Sequence, residues 1–235
     1  MAGSLWAGQK FSDFQTPLPL GKEQTLVIGI AGGWESWNTE HNLTRRLTLR
    51  LRDKHLPGVH VETVENHRLG LARQLIEKAF AGAERPRLVV FGHSLGGLAT
   101  VRLARWCEKR GIPVAFTLQI DSVGWGDTKI PANVEAAANL YQESSLFLRG
   151  ESKIRAADPQ KTNILGNYAY RYSFTHMVPA VGAPWYFSLL QHPHIKMEYD
   201  PEVWLAAEQL LTAQILKPSP VSNSLAGTSQ CPPGQ

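Results

Sequence analysis

Two stretches of this chain run from a near-continuous apolar strand straight into glycine. Thr25-Leu26-Val27-Ile28-Gly29-Ile30 leads into Ala31-Gly32-Gly33-Trp34, and Leu88-Val89-Val90-Phe91 leads into Gly92-His93-Ser94-Leu95-Gly96. Strands that lack polar alternation are buried on both faces, as inner strands of a parallel sheet are. Amphipathic helical patterns separate these runs. His41 to His55 carries Leu43, Leu47 and Leu51 at every fourth position before Leu56-Pro57-Gly58 stops it, and Leu69 to Ala83 sets Leu71, Leu75 and Ala79 on one face. A further helix is predicted from Leu95 to Arg110, closed by Gly111, and a last one from the Asp200-Pro201 start to about Leu216. Strands are predicted over 59–64, 112–120 and 164–174, while the alanine run in Pro131 to Gln142 reads as a helix. Strands alternating with helices predict an α/β class: a three-layer sandwich, its mostly parallel central sheet of about five to six strands covered by helices on both faces.

The chain has 235 residues, 43% of them hydrophobic and 19% charged, enough apolar surface for one packed domain. That domain is predicted over 23–217, with 1–22 as an N-terminal extension, 122–161 as a candidate small cap and the Pro/Ser/Gly-rich 218–235 as a flexible tail. Its net charge of +4 falls far short of a nucleic-acid-binding signature. No apolar stretch approaches membrane-spanning length, and the first residues lack a charged start followed by an apolar run. A cytoplasmic protein is expected on these grounds, with Cys107 and Cys231 unpaired. Oligomeric state is not legible.

Gly92-x-Ser94-x-Gly96 has the pattern of a nucleophile elbow. A serine at the tip of a tight strand-to-helix turn has a strained backbone, so small residues are needed two positions either side. The turn lifts Oγ above the sheet and sets the Leu95 amide at a helix N-terminus, where it can donate to a developing oxyanion. A plain turn capped by Ser94 would use the same residues, but the apolar strand before it and the Ala/Gly-rich helix after it favour the elbow. A serine needs a base and an orienting acid. Asp121, just past the 112–120 strand, lies at the sheet edge that carries Ser94 and is the best acid; Asp127 and Asp158 sit in loops with no strand to deliver them. Among the histidines, His93 occupies the variable elbow position and is expected to face away from Ser94. His194, six residues before Asp200, is the favoured base, with His176 as the alternative and His192 behind both. His192-Pro193-His194 has no third ligand nearby, so no metal is assigned. Gly32 or Gly33 would supply a second oxyanion donor. Their spacing with Gly29 is not that of a dinucleotide fingerprint, and no cofactor is expected. Trp34 and Trp125 flank these elements as candidate walls of a substrate pocket.

With these motifs the chain resembles the α/β-hydrolase superfamily from about Gln24 to Leu216. It looks like a compact lipase- or esterase-like member with a reduced N-terminus. IPANVEAAANLYQ, DPQKTNILGNY and HIKMEYDPEVW are similar to stretches of uncharacterised bacterial serine hydrolases, and that similarity points to the histidine of the HxKME segment, His194, as the base. The resemblance implies a cofactor-free serine hydrolase acting on a small-molecule carboxylic ester or thioester. An acyltransferase using the same triad, or a non-catalytic binding protein on the same scaffold, would share these residues.

Overall fold

The computed structural model describes residues 8–33, 35–39, 42–144, 153–173, 178 and 192–218. The central sheet has six strands: β1 (Thr25–Ala31), β2 (Val59–Glu65), β3 (Arg87–His93), β4 (Val114–Ile120), β6 (Val134–Gln142) and β8 (Asn163–Tyr170). They lie in the order β2-β1-β3-β4-β6-β8, and each neighbouring pair is parallel. Two short strands, β5 (Lys129–Ile130) and β7 (Arg155–Ala156), pair with each other beside it. The α/β class with a mostly parallel sheet is therefore as the sequence predicts.

Helices cover both faces. On one, α1 (Leu43–Asp53), α4 (Pro193–Tyr199) and α5 (Pro201–Ile215) press Leu47, Leu51, Met197, Trp204 and Leu211 against Phe91, Phe116 and Leu118. On the other, α2 (Leu69–Ala79) and α3 (Leu95–Glu108) bury Leu75, Ile76, Val101 and Leu103 against Leu26, Ile28, Ile30 and Val90. Alternate residues of β1 and β3 serve opposite layers, which is why these strands read as unbroken apolar runs. No helix among the described residues is long and apolar enough to cross a membrane.

The segment Pro131 to Gln142 corrects the helix expected there. Val134–Gln142 forms β6, between β4 and β8, with all but one of the strand's residues buried. Alanine favours helix as an isolated residue, but Ala136–Ala138 are here the small side chains that fit a strand covered on both faces, and burial overrides local preference. The 122–161 stretch thus supplies an inner strand of the main sheet. At the other end of the chain, the extension is tied down over its described part. Leu20 is buried in the core, and the Glu62 carboxylate accepts hydrogen bonds from Gln15 N (2.7 Å), Thr16 N (2.8 Å) and Thr16 Oγ1 (2.8 Å). Arg52 Nη2 donates to its second oxygen at 2.7 Å. Cys107 is a free, buried thiol whose pKa burial pushes up to about 12, so it is inert; Cys231 lies outside the described residues.

Chain order places the turn of function. The chain steps from β1 outward to β2, then back across to β3 on β1's other side. The reversal falls between β1 and β3, and open parallel sheets bind ligands beyond the C-terminal ends of strands at such a point. Gly32 and Ser94 directly follow those two strands. Removing the Glu62 clamp, by Glu62→Ala, leaves Arg52 Nη2 and three other donors without this acceptor and should cost about 3 kcal/mol in urea unfolding. Glu62→Gln, which keeps one acceptor oxygen, should lose less; equal stability of all three proteins would show that the extension is not anchored there.

Candidate active site

β3 ends at His93 and α3 begins at Leu95, so Ser94 alone makes the turn, at φ 55° and ψ −123°. A non-glycine residue in that region is strained. The surrounding glycines show what permits it. A Cβ on Gly92 would stand 2.3 Å from the Gly96 carbonyl oxygen, and one on Gly96 would stand 2.1 Å from that of Ile30. The Ser94 amide donates to Ile120 O (3.0 Å), and the Ser94 carbonyl accepts from Gly97 N (2.9 Å) and Val123 N (3.1 Å). The turn is thus bolted to the end of β4 and to the loop after it.

Asp121 follows β4 directly and is fully buried, also at positive φ (41°), with its amide donated to Leu140 O at 2.7 Å. Its Oδ2 lies 2.6 Å from His194 Nδ1, and His194 Nε2 lies 3.1 Å from Ser94 Oγ. An ionised carboxylate only accepts, so Nδ1 carries the proton and donates to Asp121. That leaves the Nε2 lone pair facing the serine hydroxyl. The structure therefore brings Ser94, His194 and Asp121 into one hydrogen-bonded chain. His194 sits in the first turn of α4, a short helix where the sequence shows only a descending segment. His192 caps it, its Nδ1 accepting from His194 N at 3.3 Å, and Met197 and Tyr199 anchor it in the core.

The other candidates do different work. Asp127 accepts from Ser122 Oγ and Gln119 Nε2, and Asp158 closes a turn by accepting from Gln160 N at 3.0 Å. His93 packs beside the histidine of the chain: its ring stacks on that of His194 at 5.2 Å and 17°, and it lies 6.0 Å from the Trp204 ring at 63°. His176 and Trp34 lie outside the described residues. Trp125 is 95% exposed in the loop after β4. Of the two candidate glycine donors, Gly32 is already engaged, its amide donating to Glu35 Oε2 at 2.8 Å. The Gly33 carbonyl accepts from Asn66 Nδ2, while the Leu95 amide opens α3, where no intrahelical acceptor exists.

Glu35 and Glu198 are a pair that sequence reasoning missed. Burial pushes both carboxyls up, Glu198 to about 8 because the neighbouring Glu35 adds to the effect; the Gly32 amide partly offsets the rise at Glu35. Burial also holds the His93 imidazole well below its usual range, with His194 adding to the effect. Glu198 lies one helical turn beyond His194 and Glu35 three residues beyond Gly32, but nothing in the sequence joins the two.

No protein-family model matches the chain, and no curated protein matches it. Among solved structures it aligns with a cutinase-like protein from Cryptococcus sp., at 12% identity and a TM-score of 0.46, over 82% of this chain and 95% of that one. At that score the likeness carries no weight for the chemistry, which stands on the distances above.

The raised Glu198 carboxyl has a consequence for stability. Unfolded, it releases its proton near 4.5; folded, it holds it to about 8. Between those values the folded state binds more protons, so stability falls as pH rises through the window. In chelator-treated buffer, Glu198→Gln should flatten the fall in Tm between pH 5 and 8 and melt several degrees above the wild type at pH 9, at roughly 2–4 °C per kcal/mol. Parallel Tm curves for the two proteins would mean that the carboxyl titrates alike in both states.

Proposed function

We propose that this protein is a serine hydrolase of the α/β-hydrolase kind, cleaving a carboxylic ester or thioester through an acyl-enzyme on Ser94. The observation that supports this best is the unbroken chain from Asp121 Oδ2 through His194 to Ser94 Oγ, 2.6 and 3.1 Å, at the strained turn after β3. Ser94 Oγ attacks the acyl carbon while its proton passes to His194 Nε2. The carbonyl oxygen becomes an oxyanion, held by the Leu95 amide and, with Gly32 engaged, by that of Gly33. The tetrahedral adduct collapses, and the leaving alcohol or thiol takes the proton from Nε2. Water then adds to the acyl-enzyme, giving a proton to Nε2, and the carboxylic acid departs as Ser94 recovers it. Asp121 keeps the imidazole in the tautomer this needs and offsets its positive charge. Trp125, exposed in the loop after β4, is the candidate for a substrate contact.

Purified variants assayed on one short acyl ester, each checked for folding by circular dichroism, test these roles. Ser94→Ala and His194→Ala should each lower kcat by about 10³- to 10⁶-fold, and Asp121→Asn by about 10⁴-fold because the tautomer is wrong. His176→Ala should stay within about tenfold of the wild type, a loss far below that expected of a triad member. Wild-type kcat/KM should rise with pH to a plateau, since the base must shed its proton before taking that of the serine. Full activity in Ser94→Ala would exclude the acyl-enzyme, and loss confined to His176→Ala would move the base.

A further inference from the structure

Behind the His194 ring, three groups with metal-binding atoms converge from three separate parts of the fold. Glu35 comes from the loop after β1, His93 from the last position of β3 and Glu198 from α4. One carboxylate oxygen of each glutamate and one ring nitrogen of His93 lie within 4.8 Å of one another. His93 is 3% exposed, and its buried Nε2 has no hydrogen-bond partner. A buried imidazole nitrogen left unpaired has lost its water without a replacement, so it calls for an explanation. Beside that ring the two carboxyls meet side by side, with oxygens free to turn toward a shared ion.

We propose that Glu35, His93 and Glu198 form a binding site for a divalent transition-metal cation of the Zn²⁺ class. Two carboxylates balance a dication's charge, and the idle imidazole supplies the nitrogen ligand that distinguishes this ion class from Ca²⁺ and Mg²⁺, which take oxygen. Donors on a tetrahedral Zn²⁺ stand about 3.4 Å apart, given bonds of about 2.1 Å. The glutamate side chains can close that difference by rotation. Three protein ligands leave a fourth position for water.

The placement gives the ion a task. Glu35 holds Gly32 through its amide, His93 belongs to the elbow and stacks on His194, and Glu198 shares α4 with His194. A cation shared by the three would lock the glycine loop, the serine turn and the histidine helix to one another. The cation site depends on these three side chains and not on Ser94 acting as a nucleophile.

Chelator-stripped full-length protein titrated with ZnCl₂ by calorimetry provides the test. The wild type should bind one Zn²⁺ per chain, and the near-isosteric Glu35→Gln and Glu198→Gln should each bind it at least tenfold more weakly. Ser94→Ala and His192→Ala should bind as the wild type does. Absence of Zn²⁺ binding to the wild type would overturn the site. So would undiminished binding in both glutamine variants, or binding lost only in Ser94→Ala or His192→Ala, because the ion would then sit on the triad, on the His192–His194 pair or elsewhere.

Discussion

A serine held at φ 55° carries on the order of 1–3 kcal/mol of backbone strain, and the top of this sheet is organised to offset it. The Ser94 peptide groups are bound by Ile120, Gly97 and Val123, so the turn cannot relax without breaking contacts to β4 and α3. Gly92 and Gly96 remove the side chains that would collide there, and Gly97 does the same toward Ser122, 2.6 Å from a Cβ built on it. Asp121, also at positive φ, leaves β4 beside this turn and sends its carboxylate to His194. Strain at the serine and strain at the acid therefore share one set of supports.

The histidine is held from the opposite layer. α4 and α5 meet at Asp200, which accepts from Glu202 N at 2.9 Å and from Tyr172 Oη at 2.7 Å, while Trp204 Nε1 donates to Glu198 O at 2.6 Å. That corner presents His194 to the sheet edge, and the stacked His93 ring limits how far the imidazole can swing. Glu35 ties the glycine loop to the same neighbourhood. Asp121, His194, His93 and Glu35 thus reach the surroundings of Ser94 from four different parts of the fold.

Sequence carried the local decisions well. Apolar runs ending in glycine located β1 and β3, and strict small-residue spacing marked the turn at Ser94. Asp121 could be set beside Ser94 because a parallel sheet presents all its strand ends at one edge, whereas His194 was singled out by its place six residues before Asp200 and by the HxKME resemblance. What stayed hidden depended on neighbours distant in the chain. β6 looks helical because alanine is helix-favouring when nothing covers it, and only the strands on either side decide otherwise. The Glu35–Glu198 pair joins residues 163 positions apart by the numbering, and no periodicity records such a meeting. His93 looked like a spacer because its burial against His194 and Trp204 requires α4 and α5 to be in place.

The most direct test of the central claim is covalent labelling of the full-length protein with a fluorophosphonate, read by intact mass and peptide mapping. An activated serine should take up one label per chain, on Ser94, and heat-unfolded protein should take up none. No uptake by the folded protein, or a label on another serine, would contradict the account and leave the fold as a scaffold for binding alone.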